Sequence, residues 1–184
     1  MTPGVIYVVQ HGALTPRLRS ELRRLFDAEY LATFGEWDPE QPYGYAPHEV
    51  HLIARVGGDV VGHVGWARRH VAVGDSGVEI AGVGGVLISQ GARGKRLGEQ
   101  LMRTARRSML DAKGIQFGYL GCREEVVPFY RACGWHRISA AERSISRDGC
   151  AREDPPGQPL LITPVESALD EWPAGKVDLR GRAW

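Results

Sequence analysis

The chain carries two hydrophobic periods, a two-residue alternation typical of strands and a three-to-four-residue spacing typical of helices. Helical spacing predicts one helix after Thr15, one from Leu97 to Met109 and one over Glu124–Ala132. Alternation and short apolar runs predict strands over Val5–Val9, His51–Val56, Val60–Arg68, Arg69–Val73, Val78–Ile88, Ile115–Gly121, Trp135–Ser139 and Pro159–Pro164. This order predicts a single domain, residues 1–184, of mixed α/β architecture in which helices flank a mostly antiparallel sheet.

Three stretches interrupt these periods. Tyr30–Pro47 is rich in proline, aromatic and acidic residues, which predicts a loop too long and too aromatic to be a simple linker. Asp148–Gln158 is polar and rich in proline and glycine, and it predicts an excursion ahead of the last strand. Residues 165–184 predict an ordered tail that contributes to the substrate site.

The overall charge is close to balanced. The 184 residues include 23 lysines and arginines against 22 aspartates and glutamates, so nothing global attracts nucleic acid or a membrane surface. An odd cysteine number without metal spacing favours a reducing compartment. Met1–Gly4 is unlike the start of a signal peptide, and no apolar run reaches the roughly 20 residues that cross a bilayer. We expect a cytoplasmic protein whose partner is a small molecule.

A basic, glycine-rich turn at residues 91–98 links an apolar run to a helix-period pattern. Unpaired N–H groups at a helix start attract an anion, and glycine lets the anion approach the backbone. Arg93, Lys95 and Arg96 add positive charge, which predicts a polyanion such as a pyrophosphate. The spacing of Gly91 and Gly94 fits neither a Walker loop nor a dinucleotide fingerprint.

The turn Arg93-Gly94-Lys95-Arg96-Leu97-Gly98 resembles the acyl-CoA turn of the GNAT superfamily of N-acetyltransferases, with Arg96 where a glycine is usual. The resemblance implies the GNAT acyltransferase fold, whose sheet is splayed, and acetyl-CoA as the donor. It also implies that the amides of this turn hold the CoA pyrophosphate. The backbone of Val86, Leu87 and Ile88 would then pair with the pantetheine.

The segment Val127–Trp135 resembles a second element of that superfamily, A-x-x-x-Y-x-x-x-G-F. The resemblance implies that the Tyr130 hydroxyl protonates the departing CoA thiolate, and a weak acid there lowers the barrier to transfer. Core packing is the alternative role for Tyr130. Direct transfer in a ternary complex is expected, because Cys122 and Cys133 have no evident histidine partner for covalent catalysis. A metal is not expected, because the odd spacing of His48 and His51 separates them on a strand.

Three features carry a resemblance to the aminoglycoside 2′-N-acetyltransferases. They are the R-G-x-R-L form of the turn, the strand Gly58–Val64 leading to Arg68-Arg69, and the tail Asp170–Gly175. The strand and tail also resemble the nodulation-factor N-acyltransferases, which join a fatty chain to an amino sugar. The first resemblance implies acetylation of an aminoglycoside, at the 2′-amine, giving antibiotic resistance.

Other functions stay open at this point. The acceptor could be a peptide, a polyamine or an amino sugar that takes a longer acyl chain, or the chain could bind acyl-CoA without turnover. Members of this fold often form homodimers, although nothing in the sequence indicates one.

An aminoglycoside is a polycation, so its site needs acidic side chains and aromatic faces. In the aminoglycoside family the early loop and the end of the chain both reach the antibiotic, and here they contain such residues, with Tyr43 and Tyr45 also in the loop. The predicted substrate-binding residues are Glu36, Trp37, Asp38, Glu40, Asp170, Glu171, Asp178 and Trp184.

The general base is the least defined member of the predicted site. An ammonium must lose a proton before its nitrogen attacks. The aminoglycoside family carries a glutamate on the strand ahead of the turn, where this chain has Gly84. Glu79 on the same strand and His63 on a neighbouring strand are the candidates for the base. A core histidine is the alternative role for His63.

Overall fold

The computed structural model describes residues 4–184, and Met1–Pro3, on which part of the signal-peptide prediction rests, lie outside the described residues. The helices are α1 Pro16–Phe34, α2 Leu97–Asp111 and α3 Val127–Ala132. The strands are β1 Val5–Gln10, β2 Val50–Val56, β3 Asp59–Val73, β4 Ser76–Ile88, β5 Phe117–Gly121, β6 His136–Ile138, β7 Glu142–Ile145, β8 Ala151–Asp154, β9 Leu160–Pro164 and β10 Val177–Arg182.

The strands form one mixed, mostly antiparallel sheet that opens in its middle. β1 to β4 make an antiparallel ladder, and β5, β9 and β6 make another. The two ladders meet where β4 runs parallel to β5, and that pairing extends only from Ile80–Phe117 to Gly82–Tyr119. Beyond Gly82 the strands part, which leaves one backbone edge of β4 without a strand partner among residues 4–184. The predicted mixed α/β architecture with a splayed sheet is confirmed.

Helices cover both faces of this sheet. On one face, Leu101 and Met109 of α2 are fully buried against β2, β3 and β4, and α3 packs beside them. On the other face, Leu22 and Phe26 of α1 pack on Ile53 and Leu87. Since neighbouring residues of a strand point to opposite faces, β2 can supply Leu52 to the first core and Ile53 to the second.

Several element boundaries differ from the sequence prediction, and two of these differences have a clear physical reason. α1 continues to Phe34, five residues into the predicted loop, and ends where Gly35 takes a positive φ of 81°. Leu31 and Phe34 in this last turn are 49% and 45% exposed, so they add nothing to the apolar stripe that predicts the helix. β3 is a single strand rather than two, because its partner β4 pairs with it continuously across the predicted break, from Gly62 to Val73 apart from one bulge.

Three strands, β7, β8 and β10, were not predicted. β8 reads Ala-Arg-Glu-Asp and is mostly exposed, so it has no apolar alternation. β10 does alternate, since Val177 and Leu179 are fully buried, but the alternation covers only a few residues. β10 pairs with the end of β3 and with β7, which brings the tail back onto the sheet. The strand predicted at Pro159–Pro164 is therefore not the last one.

Trp184 lies flat on β4 in space left by glycines. A Cβ atom at Gly82 would lie 2.1 Å from the Trp184 ring, whereas one at Gly91 would meet nothing within 4 Å. We expect Gly82→Ala to lower the free energy of unfolding by about 1–3 kcal/mol, because overpacking forces neighbouring groups to move. Gly91→Ala is the matched control and should unfold at the wild-type urea concentration. Equal urea midpoints for the two variants would contradict this account of Trp184.

Candidate active site

A β-bulge lies in β4 where that strand leaves β5. The β3–β4 register shifts between His63 and Gly65, so Gly85 and Val86 together face one residue of β3. Gly85 has a φ of 58°, a conformation that favours glycine, as in a bulge of the G1 type. Bulges of this kind redirect the backbone next to active sites, and here the redirected backbone borders the gap between β4 and β5.

The gap between the two strands forms part of a cavity of about 880 Å³. Its walls are the bulge (Val83–Val86), the diverging end of β5 (Tyr119–Cys122) and Tyr130 of α3. Aromatic residues from α1 and the early loop form one end, including the predicted Tyr43 and Tyr45, and Trp184 forms part of the floor. A volume of this size suits a small-molecule ligand.

The basic turn leads from the bulge into α2. Gly94 and Arg96 take positive φ values of 77° and 56°, and α2 begins at Leu97 with no side chain capping its first turn. The first amides of a helix without a side-chain cap are available to an anion. Arg93 donates to the Ile88 carbonyl (3.0 Å) and to Glu29 (3.0 Å), so it ties the turn to β4 and α1.

The other predicted donor-site residues lie along the same path. Val86 lines the cavity, while the Leu87 side chain is buried beneath α1 and the Ile88 side chain is half-buried. Lys95 is exposed in the turn. A Cβ atom at Gly98 would lie 3.1 Å from the Phe129 ring, so this glycine lets α2 and α3 approach each other.

Tyr130 lines the cavity and is only 8% exposed. Burial raises the pKa of its hydroxyl, with smaller contributions from Cys122 and Cys133, so the group stays protonated. It is therefore available as a proton donor. Burial also raises the pKa of the Cys122 thiol to about 11, which keeps this cavity cysteine in its poorly nucleophilic form.

His63 does not line the cavity. Its ring is fully buried, its Nδ1 donates to the Gly85 carbonyl (2.7 Å), and its Nε2 lies 2.9 Å from Nδ1 of His51. Both nitrogens are thus engaged. Glu79 also lies outside the cavity lining, with its carboxylate 3.2 Å from Nδ1 of His70.

His48 borders the cavity beside Gly84 and was not predicted as a site residue. A Cβ atom at Gly65 would lie 2.3 Å from its ring, and one at Gly84 would lie 3.0 Å from its Nε2. Nε2 is buried and has no hydrogen-bond partner among the described residues. Two glycines, Gly65 and Gly84, therefore make room for an imidazole at this point of the cavity wall. Only the run of nearby glycines could have signalled it.

Glu142 is the second cavity residue that sequence reasoning missed. It lies on β7, is 7% exposed, and accepts a hydrogen bond from the Tyr119 hydroxyl. Burial raises the pKa of its carboxyl above the usual 4.5, although the Tyr119 bond acts in the opposite direction. A buried carboxylate of this kind can bind or deprotonate an ammonium.

Most of the predicted substrate-binding residues lie outside the cavity lining. Trp37 is 1% exposed and stacks on Phe26 with ring centroids 4.8 Å apart, so it is part of the core beneath α1. Glu40 pairs with Arg19 and His11 at the surface. Of the predicted set, Trp184 alone lines the cavity. Those outside are Glu36, Trp37, Asp38, Glu40, Asp170, Glu171 and Asp178.

The cavity wall carries both signs of charge. Asp154 pairs with Arg152 at 2.7 Å, and Arg147 lies over the rings of Phe34 and Tyr45 at 5.1 and 5.3 Å. Arg123 and Asp148 also line the wall. Glu142 is the buried carboxylate of this wall, and it bonds to a hydroxyl rather than to a cation. The wall therefore offers one buried negative group rather than a cluster.

No group of three or more His, Cys, Asp or Glu side chains in residues 4–184 has the arrangement of a metal site. Within the same part of the chain, every helix is too short or too polar to span a lipid bilayer.

Three buried histidines make the fold sensitive to acid. Burial lowers the pKa of His48 to about 3, of His51 to about 2 and of His63 to about 4, from 6.5. The unfolded chain then binds more protons than the folded chain below pH 6.5, so stability is complete above that pH and is lost as the pH falls. Each histidine contributes a slope of up to roughly 1.4 kcal/mol per pH unit.

Urea unfolding between pH 7.5 and 4.5 measures this slope. His48→Gln should reduce it, whereas His136→Gln, at an exposed position, should not. A free energy of unfolding that stays constant from pH 6.5 to 4.5 would contradict the assignment of neutral, buried rings.

Comparison with known proteins identifies the family. The sequence profile of the family described as Nodulation protein A (NodA) matches residues 11–182. No curated protein sequence matches the chain significantly.

Solved structures share the fold at low sequence identity. Escherichia coli ElaA has a TM-score of 0.61 at 16% identity, over 88% of this chain and 99% of that one. The GNAT family N-acetyltransferase YhbS of Escherichia coli, in complex with CoA, has a TM-score of 0.63 at 15% identity, over 97% and 91%. An aminoglycoside 6′-N-acetyltransferase complexed with coenzyme A has a TM-score of 0.60 at 14% identity, over 88% and 98%. The chain therefore belongs to the NodA family and has the fold of the GNAT acyltransferases.

Proposed function

We propose that this protein is an N-acyltransferase that moves an acyl group from a CoA thioester to a single amine of an amino sugar. The observation that carries the proposal is the gap between β4 and β5, whose cavity is lined by both the Gly85 bulge and Tyr130. That arrangement supplies a backbone that can polarise a carbonyl and an acid that can protonate a thiolate.

The donor occupies the unpaired edge of β4 and the basic turn. Strand amides and carbonyls of Val86–Ile88 pair with the pantetheine, and the first amides of α2 hold the pyrophosphate. Two structures with this fold contain CoA, which supports the same donor here. Acetyl-CoA is the simplest donor, and a longer acyl chain is the alternative that the resemblance to nodulation-factor N-acyltransferases favours.

The acceptor occupies the other end of the cavity. Aromatic faces at Tyr43, Tyr45 and Trp184 suit stacking against sugar rings. Glu142 is the buried carboxylate that an ammonium would meet. The acids expected to bind a polycation lie outside the cavity lining, and arginines balance the acids within it. An acceptor with one reactive amine therefore fits better than an aminoglycoside, whose several ammoniums need several acids.

The chemistry is direct transfer. Glu142 takes a proton from the ammonium, because its raised pKa makes it a stronger base than His48, whose pKa is lowered to about 3. His48 accepts a hydrogen bond from the amine at its free Nε2. The nitrogen then attacks the thioester carbon, and the bulge amides stabilise the oxyanion. When the C–S bond breaks, Tyr130 gives its proton to the sulfur, which leaves an amide and free CoA.

An acceptor panel tests this function. We expect thiol release from acetyl-CoA or a longer acyl-CoA with a glucosamine oligosaccharide that has one free amine, and none with its fully N-acetylated form. Tyr130→Phe should retain acyl-CoA binding and lose about 10²–10⁴-fold in turnover. Tyr7→Phe, at a site that is 49% exposed on β1, is the matched control.

The same panel contains aminoglycosides, a polyamine and a peptide. If thiol is released with an aminoglycoside and with no other acceptor, the proposed single-amine acceptor is wrong and a role in antibiotic resistance is supported. Bound acyl-CoA without release to any acceptor would leave a binding module and overturn the proposed enzyme. Size-exclusion chromatography of the same preparation distinguishes a monomer from a homodimer.

Glu142→Gln separates activity from stability. The amide keeps an acceptor for the Tyr119 hydroxyl but removes the base, so kcat/KM should fall by about 10²–10⁴-fold. The pKa of Glu142 in the folded state lies above its unfolded value of about 4.5, so the folded state binds this proton more tightly than the unfolded state. The free energy of unfolding therefore falls as the pH rises through the folded pKa and Glu142 becomes ionised. Glu142→Gln should therefore be more stable than the wild type at pH 7, with a smaller difference at pH 4.5.

Activity assays and urea unfolding at both pH values measure the two effects. Glu153→Gln, an exposed position on β8, should change neither. Full activity in Glu142→Gln would exclude Glu142 as the base.

A further inference from the structure

A hydrogen-bonded chain of four side chains runs from the surface to the β4 bulge. Glu40 lies 3.1 Å from Nε2 of His11, whose Nδ1 lies 3.0 Å from Nε2 of His51. His51 then meets His63 at 2.9 Å, and His63 meets the Gly85 carbonyl at 2.7 Å. The chain links the early loop, the end of β1, β2 and β3 to one carbonyl of β4.

The Gly85 carbonyl determines which imidazole nitrogens of this chain carry protons. A carbonyl oxygen only accepts, so His63 carries its proton on Nδ1 and, being neutral, accepts at Nε2. His51 must then donate from Nδ1 and accept at Nε2. His11 must therefore donate from its own Nδ1. Every donor along the chain points inward, toward Gly85.

The outer end of the chain is a carboxylate. Hydrogen bonds from Arg19 and His11 lower the pKa of Glu40, so its carboxylate is ionised and can only accept. Nε2 of His11 lies 3.1 Å from this carboxylate, and Arg19 donates to the same oxygen at 2.8 Å. The chain thus begins at an ion pair on the surface and ends in two neutral rings, His51 and His63, whose donors point toward one carbonyl.

That carbonyl belongs to the peptide between Gly85 and Val86. The peptide is trans, so the Val86 N–H points away from the Gly85 carbonyl and hence away from His63. Gly85 and Val86 both line the cavity. A hydrogen bond accepted by a carbonyl polarises its peptide and strengthens the bond that the N–H of the same peptide donates.

We propose that His63 is a positioning residue, and that the chain from Glu40 to His63 fixes and polarises the Gly85–Val86 peptide so that its N–H holds the thioester carbonyl. This inference rests on the proposed function, since it assigns a task within that reaction. It also gives a role to the buried rings of His51 and His63. These rings form no metal site among the described residues, and unlike His48 they do not line the cavity.

The free protein provides the first test. In ¹⁵N-labelled protein, long-range nitrogen–proton NMR spectra report which imidazole nitrogens carry protons. We expect His63 and His51 to be protonated at Nδ1 alone. A proton on Nε2 of His63 and none on Nδ1 would overturn the inference, whatever the enzyme does.

A pair of substitutions at His63 provides the second test. His63→Leu removes the donor to Gly85, whereas His63→Asn keeps a donor at the δ position. We expect His63→Leu to reduce kcat by about tenfold to a hundredfold, less than the loss of an oxyanion donor itself, with KM for acyl-CoA changed by less than about twofold. His63→Asn should recover most of the activity.

Infrared spectra of ¹³C-carbonyl acyl-CoA separate this role from a structural one. The thioester carbonyl band should lie below its solution frequency in the wild type and in His63→Asn, and return toward it in His63→Leu. If the wild-type protein turns over and the band has the same frequency in His63→Leu as in the wild type, the inference is overturned and the proposed function stands. A wild-type protein that binds no acyl-CoA would overturn both.

Discussion

The separation of β4 from β5 after Gly82 is the constraint on which the rest of this structure depends. Parallel strands that stayed paired would satisfy each other's amides and carbonyls and leave no site. Here three residue pairs join the ladders, and the strands then diverge around a cavity of about 880 Å³. The unpaired N–H and C=O groups of β4 cost free energy unless another molecule forms hydrogen bonds with them. A ligand with amide groups can form the hydrogen bonds that a neighbouring strand would otherwise form.

Glycines on β3 and β4 determine what covers this edge on the α1 face. Gly65, Gly82 and Gly84 have no Cβ atoms, and the space is taken by the His48 and Trp184 rings. A glutamate at position 84 would collide with both residues. Gly84 is thus a packing requirement rather than the simple loss of a base. The carboxylate of the proposed reaction is Glu142, on a strand that reaches the cavity through its pairing with β10.

The parts of the site that the sequence predicts are those specified locally. The turn at 93–98 and Tyr130 each lie in a short segment where glycine, charge and helical spacing coincide. Glu142 could not be predicted, because its strand is short and polar and its burial depends on pairing with the distant β10. Trp37 is predicted at the substrate because sugar rings stack on aromatic side chains, but it stacks on Phe26 of α1 in the core instead.

The same limit applies to the histidines. Sequence identifies His63 as a candidate base because it is ionisable and lies on a strand near the turn, yet its partner is a backbone carbonyl, which no residue type reveals. The bulge at Gly85 turns that carbonyl toward β3, and the bulge exists only once β3 and β4 are in register. Residues whose role depends on the direction of a peptide group are therefore those that a one-dimensional pattern cannot assign.

The titratable groups around the gap all have the protonation states that the proposed reaction needs only near neutrality and above. Buried His48, His51 and His63 must stay neutral for the sheet to keep its full stability, which requires a pH above about 6.5. Glu142 must be ionised to act as a base, and its raised pKa moves that requirement toward higher pH. Tyr130 keeps its proton throughout this range, because burial raises its pKa as well. One physical cause, removal of water around the splayed strands, thus keeps the buried histidines neutral, makes Glu142 a stronger base and retains the proton of Tyr130.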